Sequence, residues 1–143
     1  MKGVGILGRE IKFRAFIKSL KWMLPVERIY FDYKTVEVDL SYGNGDTSEY
    51  EFDEVELMQF TGYKENGKDI YEGDIIKVKN DYGDEEYTTT IRYEQGTLVV
   101  DINGEDYDIT AFGWAIDIWD NNGDEWEVIG NIYENPEILE VEK

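Results

Sequence analysis

Asn-Gly at 66–67, 103–104 and 122–123 is each time flanked by residues of strand type. A type I′ turn needs positive φ at both central positions, which Gly accepts freely and Asn tolerates, and it joins antiparallel strands with only two residues. Each such turn fixes a register that the flanking side chains can test. Around Asn66-Gly67, Glu65 faces Lys68 and Lys64 faces Asp69, two complementary pairs. Around Asn103-Gly104, Val100 meets Tyr107 and Leu98 meets Ile109. Around Asn122-Gly123, Trp119 meets Trp126 and Ile116 meets Ile129. Cross-strand pairs of this kind contribute about 0.2–1 kcal/mol each. All three sites predict hairpins.

Alternation and turn residues predict further strands at 11–17, 28–33, 35–42, 48–52, 56–62, 70–79, 87–94 and 125–133. Gly43-Asn44-Gly45-Asp46 and the stretch 80–84 read as connecting loops. Segment 111–119 alternates like a strand, although a helical turn fits it too. Asn135-Pro136-Glu137 reads as a cap, a first helical position and a favourable first-turn acid, so a short helix is expected over 136–141. The expected fold is mainly β. Antiparallel hairpins form a small SH3-like barrel over 57–143, preceded by a flexible leader at 1–8 and an N-terminal β segment at 9–56. The expected core holds Phe13, Leu57, Phe60, Ile70, Ile76, Val78, Ile91, Leu98, Val100, Ile109, Val128 and Ile132.

The 143 residues contain no Cys and no His. Disulfides, thiolate metal sites, cysteine nucleophiles and Ser-His-Asp arrangements are therefore excluded. No apolar run reaches the roughly 18 residues of a membrane-spanning helix, and the start has no signal-peptide cleavage pattern, so the cytoplasm is the expected compartment. Of the net charge of −19, residues 93–142 carry fourteen acids and no base, whereas residues 1–34 carry eight bases and three acids. The acidic half repels nucleic acid and membrane phosphates, which disfavours both as partners.

Several stretches resemble sites. Gly3, Gly5 and Gly8 match GxGxxG, but only two residues precede them and a strand-like run follows, so no nucleotide cofactor is expected. Aligning Gly45, Gly83, Gly104 or Gly123 to the EF-hand glycine puts Leu40, Val78, Val99 or Ile118 at the first ligand position. All four are apolar, so no EF-hand metal is expected. Asp101 facing Asp106 across the second hairpin would be a like-charge pair that costs stability. Paired carboxylates are so abundant among 33 acids that they single out no catalytic residue. Lys12, Arg14, Lys18, Lys21 and Arg28, interleaved with Phe13, Phe16, Trp22 and Tyr30, could face nucleic acid. The expectation is instead that they pair with the acidic remainder of the protein. In Ile70-Tyr-Glu-Gly-Asp-Ile-Ile-Lys-Val78 the Gly-Asp pair reads as a corner into a curved strand.

Three segments carry a resemblance: Arg9-Glu-Ile-Lys-Phe-Arg-Ala-Phe16, Leu57–Gly62 running on to Lys68–Ile76, and Glu127–Leu139. Together they resemble the YopX family of phage and prophage proteins. The likeness spans nearly the whole chain from Arg9. Phe16-Ile17 departs from the Trp-Asp that the family commonly has there. The resemblance implies a phage or prophage origin, residence in a bacterial cytoplasm, and no catalytic or cofactor-binding residues to carry over.

The expected function is that of a non-enzymatic phage accessory module that binds a host or phage protein, with a homo-oligomer left open. The alternative is an acidic DNA mimic that occupies a DNA-binding protein. That alternative needs dense charge: duplex DNA carries one charge per roughly 110 Å². It holds only if the acids of 93–142 share one face.

Overall fold

The computed structural model describes residues 10–80, 83, 85–102 and 108–141. The chain is mainly β, with twelve strands and two helices among these residues. It divides into two compact units, one up to Tyr63 and one from Lys64 onward.

The first unit is built from β1 (Phe13–Ile17), β2 (Trp22–Tyr30), β3 (Thr35–Asp39), β4 (Thr47–Glu51), a 3₁₀ turn (Phe52–Glu54) and most of β5 (Val55–Glu65). The strands follow the order β4-β3-β2-β1-β5, all antiparallel. β2 pairs with β1 through Trp22–Pro25 and with β3 from Val26 onward, with a register shift between Val26 and Arg28. A bulge there increases the local twist, so one long strand can serve two directions of pairing. The inward set is Ala15, Ile17, Val36, Val38 and Val55, all buried, with Leu24, Val26, Ile29, Tyr50, Phe52 and Leu57 packed around them. The β-branched residues of β3 suit such a half-buried, twisted surface. The 3₁₀ turn ties two ends together: the Lys18 N–H donates to the Glu54 carbonyl at 3.1 Å and the Phe52 N–H to the Lys34 carbonyl at 2.8 Å.

The second unit opens on the hairpin of β5 and β6 (Lys68–Tyr71), where Asn66 and Gly67 have φ of 52° and 80°. Two consecutive positive φ values are the type I′ signature. Lys64 and Asp69 form the expected pair at 3.7 Å. The expected strand 70–79 breaks at the Gly-Asp corner into β6 and β7 (Asp74–Lys79). Gly73 has φ 92°, and the buried Asp74 carboxylate accepts the Tyr71 N–H at 2.8 Å. The Gly73 N–H donates to Ile91 and its carbonyl accepts from Ile132, which fastens the corner on both sides.

β7 pairs with β8 (Glu86–Thr90) and with β12 (Glu125–Asn131) in one three-stranded sheet. β9 (Arg92–Glu94), β10 (Thr97–Asp101) and β11 (Ile109–Ala111) form another. The expected strand 87–94 thus splits at the buried Ile91, where the chain passes from one sheet to the next. Sheets that meet at such a bend enclose a core without closing into a ring, and among the described residues no closed barrel forms.

Of the three expected hairpins one is overturned and the flanks of a second pair in another register. Residues 103–107, with Asn103-Gly104 and Asp106, lie outside the described residues. The flanking register pairs Asp101 with Ile109 and Val100 with Thr110, where Leu98 opposite Ile109 was expected. Asn122-Gly123 is not a hairpin. Residues Phe112–Asn122 form helix α1, and Gly123, at φ 76°, ends it by donating its N–H to the Asp120 and Trp119 carbonyls. Phe112, Ala115, Ile116 and Trp119 recur at i, i+3, i+4 and i+7, so the helical period lies under the apparent alternation. The same left-handed glycine that could make a hairpin here caps a helix.

The second core joins Ile70, Ile76, Val78, Ile91, Val100, Phe112, Ala115 and Trp119. Of the expected core, Phe60, Ile70, Ile76, Val78, Ile91 and Val100 are buried, while Phe13, Leu57, Leu98, Val128 and Ile132 are half-buried. Ile109 is 47% exposed, because the shifted register moves it opposite Asp101, onto the face of Arg92. Trp119 and Trp126 still meet, with ring centroids 5.8 Å apart, as helix against strand rather than across a ladder.

Helix α2 (Pro136–Val141) forms where expected. The Asn135 side chain, however, turns back on β12 and accepts the Asn131 N–H at 3.1 Å. Among the described residues no helix is long and apolar enough to cross a membrane.

Candidate functional site

The turn between β2 and β3 holds the clearest anomaly of the first unit. Tyr30 pairs with Thr35, so Phe31, Asp32, Tyr33 and Lys34 form the whole connection. Lys34 takes φ 59° to close it, and its carbonyl is held by Phe52. The Tyr33 N–H donates to Asp32 Oδ1 at 3.0 Å. Within this fixed frame Phe31 is 76% exposed and Tyr33 73% exposed. Their rings are supported from below: Phe31 meets Phe52 edge-on at 6.4 Å and Tyr33 meets Tyr30 at 6.5 Å. Such geometries stabilise aromatic pairs beyond the area they bury.

Beneath the turn lies a polar cluster on β2, β3 and β4. Glu37 accepts from the Thr47 hydroxyl at 2.6 Å and the Tyr30 hydroxyl at 2.9 Å, with Arg28 at 3.3 Å. The Thr47 and Tyr30 bonds hold the Glu37 carboxyl below the usual carboxylate range. The Glu37 bond in turn pushes the Tyr30 phenol above 10. Glu37 stays ionised and Tyr30 stays protonated. The cluster clamps the root of the turn.

Of the basic start, Lys12, Lys18 and Arg28 are held within their own unit, not by the acidic remainder. Lys12 reaches Glu10 at 3.5 Å and lies over the Phe60 ring, Lys18 reaches Glu56 at 3.6 Å, and Arg28 takes Glu37. These acids all lie within residues 10–56, not in the acidic half. Gly3, Gly5 and Gly8 lie outside the described residues.

In the second unit acids and bases alternate across the ladder. Glu125 pairs with Lys79 and Glu127 with Lys77, and Lys77 also reaches Glu86 at 3.7 Å. Lys77, Lys79, Glu125, Trp126 and Glu127 line a shallow groove of mixed charge. Arg92 holds Asp101 through two bonds, at 3.0 and 2.9 Å, and also binds Glu94. Among the described residues no group of three or more acids is arranged to hold a metal ion. One large apolar side chain stands out here as well: Trp114, on α1, is 67% exposed.

Sequence reading named the aromatics near 30 only as possible nucleic-acid contacts and did not single out Phe31, Tyr33 or Trp114. The signal for the turn was there, as two aromatics among turn-forming Asp32 and Lys34. For Trp114 the strand reading of 111–119 concealed it.

Comparison with known proteins places this geometry. The family model described as YopX protein matches residues 12–140. The SPbeta prophage-derived protein YopX of Bacillus subtilis (strain 168) is 36% identical over 84 residues, which is 55% of this chain and 56% of the relative. That match spans little more than half the relative's length. The crystal structure of protein EF1440 from Enterococcus faecalis is 27% identical, with a TM-score of 0.60 over 92% of this chain and 99% of the other. The crystal structure of yopX from Bacillus subtilis, at 24% identity, shares the fold with a TM-score of 0.63 over 90% of this chain and 97% of that one. A family match from β1 into α2 covers both units, and the chain belongs to the YopX family.

Proposed function

We propose that this protein is a non-enzymatic phage or prophage accessory protein that acts in the bacterial cytoplasm by binding another protein. The observation that carries the reading is the turn Phe31–Lys34, which holds two aromatic rings three-quarters in water on a frame tied by the Tyr33–Asp32 and Phe52–Lys34 hydrogen bonds. Rigid aromatic side chains present large contact area with little entropy left to lose, which is why they dominate protein interfaces. The prophage origin of the Bacillus subtilis relative supports the setting. Within this cluster Glu37 and Tyr30 are both shifted away from neutrality, opposite to the tuning of a general acid or base.

The DNA-mimic reading has less support. The chain spreads its −19 over 9452 Å², about one net charge per 500 Å², against roughly 110 Å² for duplex DNA. Glu125, Glu127 and Asp101 each face a base.

The test is affinity capture from the bacterial host with mass spectrometry, repeated with two variants. Phe31→Ala with Tyr33→Ala should abolish the captured complex. Reversal of Asp106, Asp108, Glu125 and Glu127 to Lys should leave most of it, with shallow salt dependence. A captured DNA-binding protein that duplex DNA displaces, and that the reversal releases, would refute the reading and promote the mimic.

A further inference from the structure

We propose that the outer face of α1 is a docking site for a basic protein segment, anchored by Trp114. This rests on the protein-binding reading and adds a surface and a partner class to it.

The helix buries Phe112, Ala115 and Trp119, and the Trp119 indole N–H donates to the Tyr87 hydroxyl at 2.8 Å. The core is complete on that side. Trp114 lies some 140° round the helix from Trp119 at 100° per residue, so it stands in water with Asp117 and Asn121 on the next turns. Ile118, half-buried, flanks it one turn on. An exposed Trp with an apolar neighbour and a polar rim is the composition of an interface anchor.

Charge selects the occupant. Asp117 and Asp120 project from α1 and Asp124 follows it, while no base occurs anywhere in 93–142. Arg92, the nearest base in sequence before this stretch, is engaged by Asp101 and Glu94. The last turn of α1 carries no basic residue, so Asp120 adds its charge to the negative end of the helix dipole. The Trp126 indole N–H donates to Asp120 Oδ1 at 3.2 Å and helps hold it. A Lys or Arg from a partner would meet the carboxylates and the dipole together. Nucleic acid and anionic membranes are repelled, and a second copy brings the same charge of −19. A basic segment with one apolar residue for Trp114 fits.

The experiment selects displayed random dodecapeptides on the immobilised full-length protein and measures the synthetic winners by fluorescence polarisation. Enriched peptides should combine several Lys or Arg with an apolar residue. W114A should weaken them about tenfold or more, as loss of an anchor does. W114F, which keeps a ring, should cost less, and D117K with D120K should slow association chiefly at low salt. Trp114 is largely in water, so circular dichroism of both Trp114 variants should match the parent. Peptides that tolerate W114A but fail on F31A with Y33A would overturn this site and leave the protein-binding reading standing. A dimer in sedimentation that W114A dissolves would give the face to a second copy and overturn the basic partner. Selection of no peptide at all would overturn this site, while the capture experiment decides the protein-binding reading separately.

Discussion

Gly123 shows how one residue can satisfy two different local readings. Its φ of 76° suits the second position of a type I′ turn and the cap of a helix equally. Gly123→Val should cost about 1–3 kcal/mol, because a β-branched residue is strained at positive φ. Chemical denaturation measures it, and an unchanged midpoint would mean that the cap relaxes freely. Gly130 is demanding for a different reason: a Cβ there would lie 2.6 Å from Asn135 Oδ1. Gly130→Ala should break the Asn135–Asn131 bond and lower stability by about 1 kcal/mol, the usual net worth of one hydrogen bond. Glu37 adds a pH signature. Its carboxyl titrates lower in the folded chain, first because of Thr47 and then Tyr30, so it stabilises fully above its ordinary value of 4.5. That contribution is lost as pH falls through the folded value. Glu37→Gln should flatten the fall of the urea midpoint below pH 4.5, and an unchanged slope would show the bonds to be idle. Tyr30 works in reverse, with stability present below 10 and lost as pH rises through its raised value.

Among the elements, the hairpin at Asn66-Gly67 was legible and α1 was not. The hairpin needs only two adjacent residues and their immediate neighbours, and the Lys64–Asp69 pair agrees with the turn. In 111–119 the apolar residues satisfy a period of two and a period of 3.6 nearly as well. The helix wins because it sends Phe112, Ala115 and Trp119 together into a core that Ile76, Val78 and Val100 already line. Packing then decides what propensity leaves open. Trp119→Ala should therefore cost about 3–5 kcal/mol, as a deleted core aromatic does, and should abolish the near-ultraviolet dichroism of the Trp119–Trp126 pair. A loss under 1 kcal/mol would mean that α1 is not held by this ring. Helix α2 was legible from Pro136 and Glu137, yet the role of Asn135 was not, since its bond runs backwards to Asn131.

For the whole molecule, charge sets the expectation. At −19 the chain repels itself, and salt shortens the range of that repulsion to about 8 Å at 0.15 M. The melting temperature should rise as salt increases from very low to physiological levels. A fall would show that the ion pairs of Arg92, Lys77 and Lys18 outweigh the net repulsion.

By itself the sequence determined the mainly β character, the absence of histidine and cysteine chemistry, the Gly73-Asp74 corner and the family. Each of these depends on residue types or on contacts only a few positions apart. Only the tertiary structure decided that β2 bends at its bulge to serve two directions of pairing, and that β10 meets β11 three residues out of the expected register. It also decided that Ile109 and Trp114 face water while Trp119 does not. Those outcomes depend on which distant strand offers a free edge and which apolar face is still uncovered, and neither is encoded in a local window.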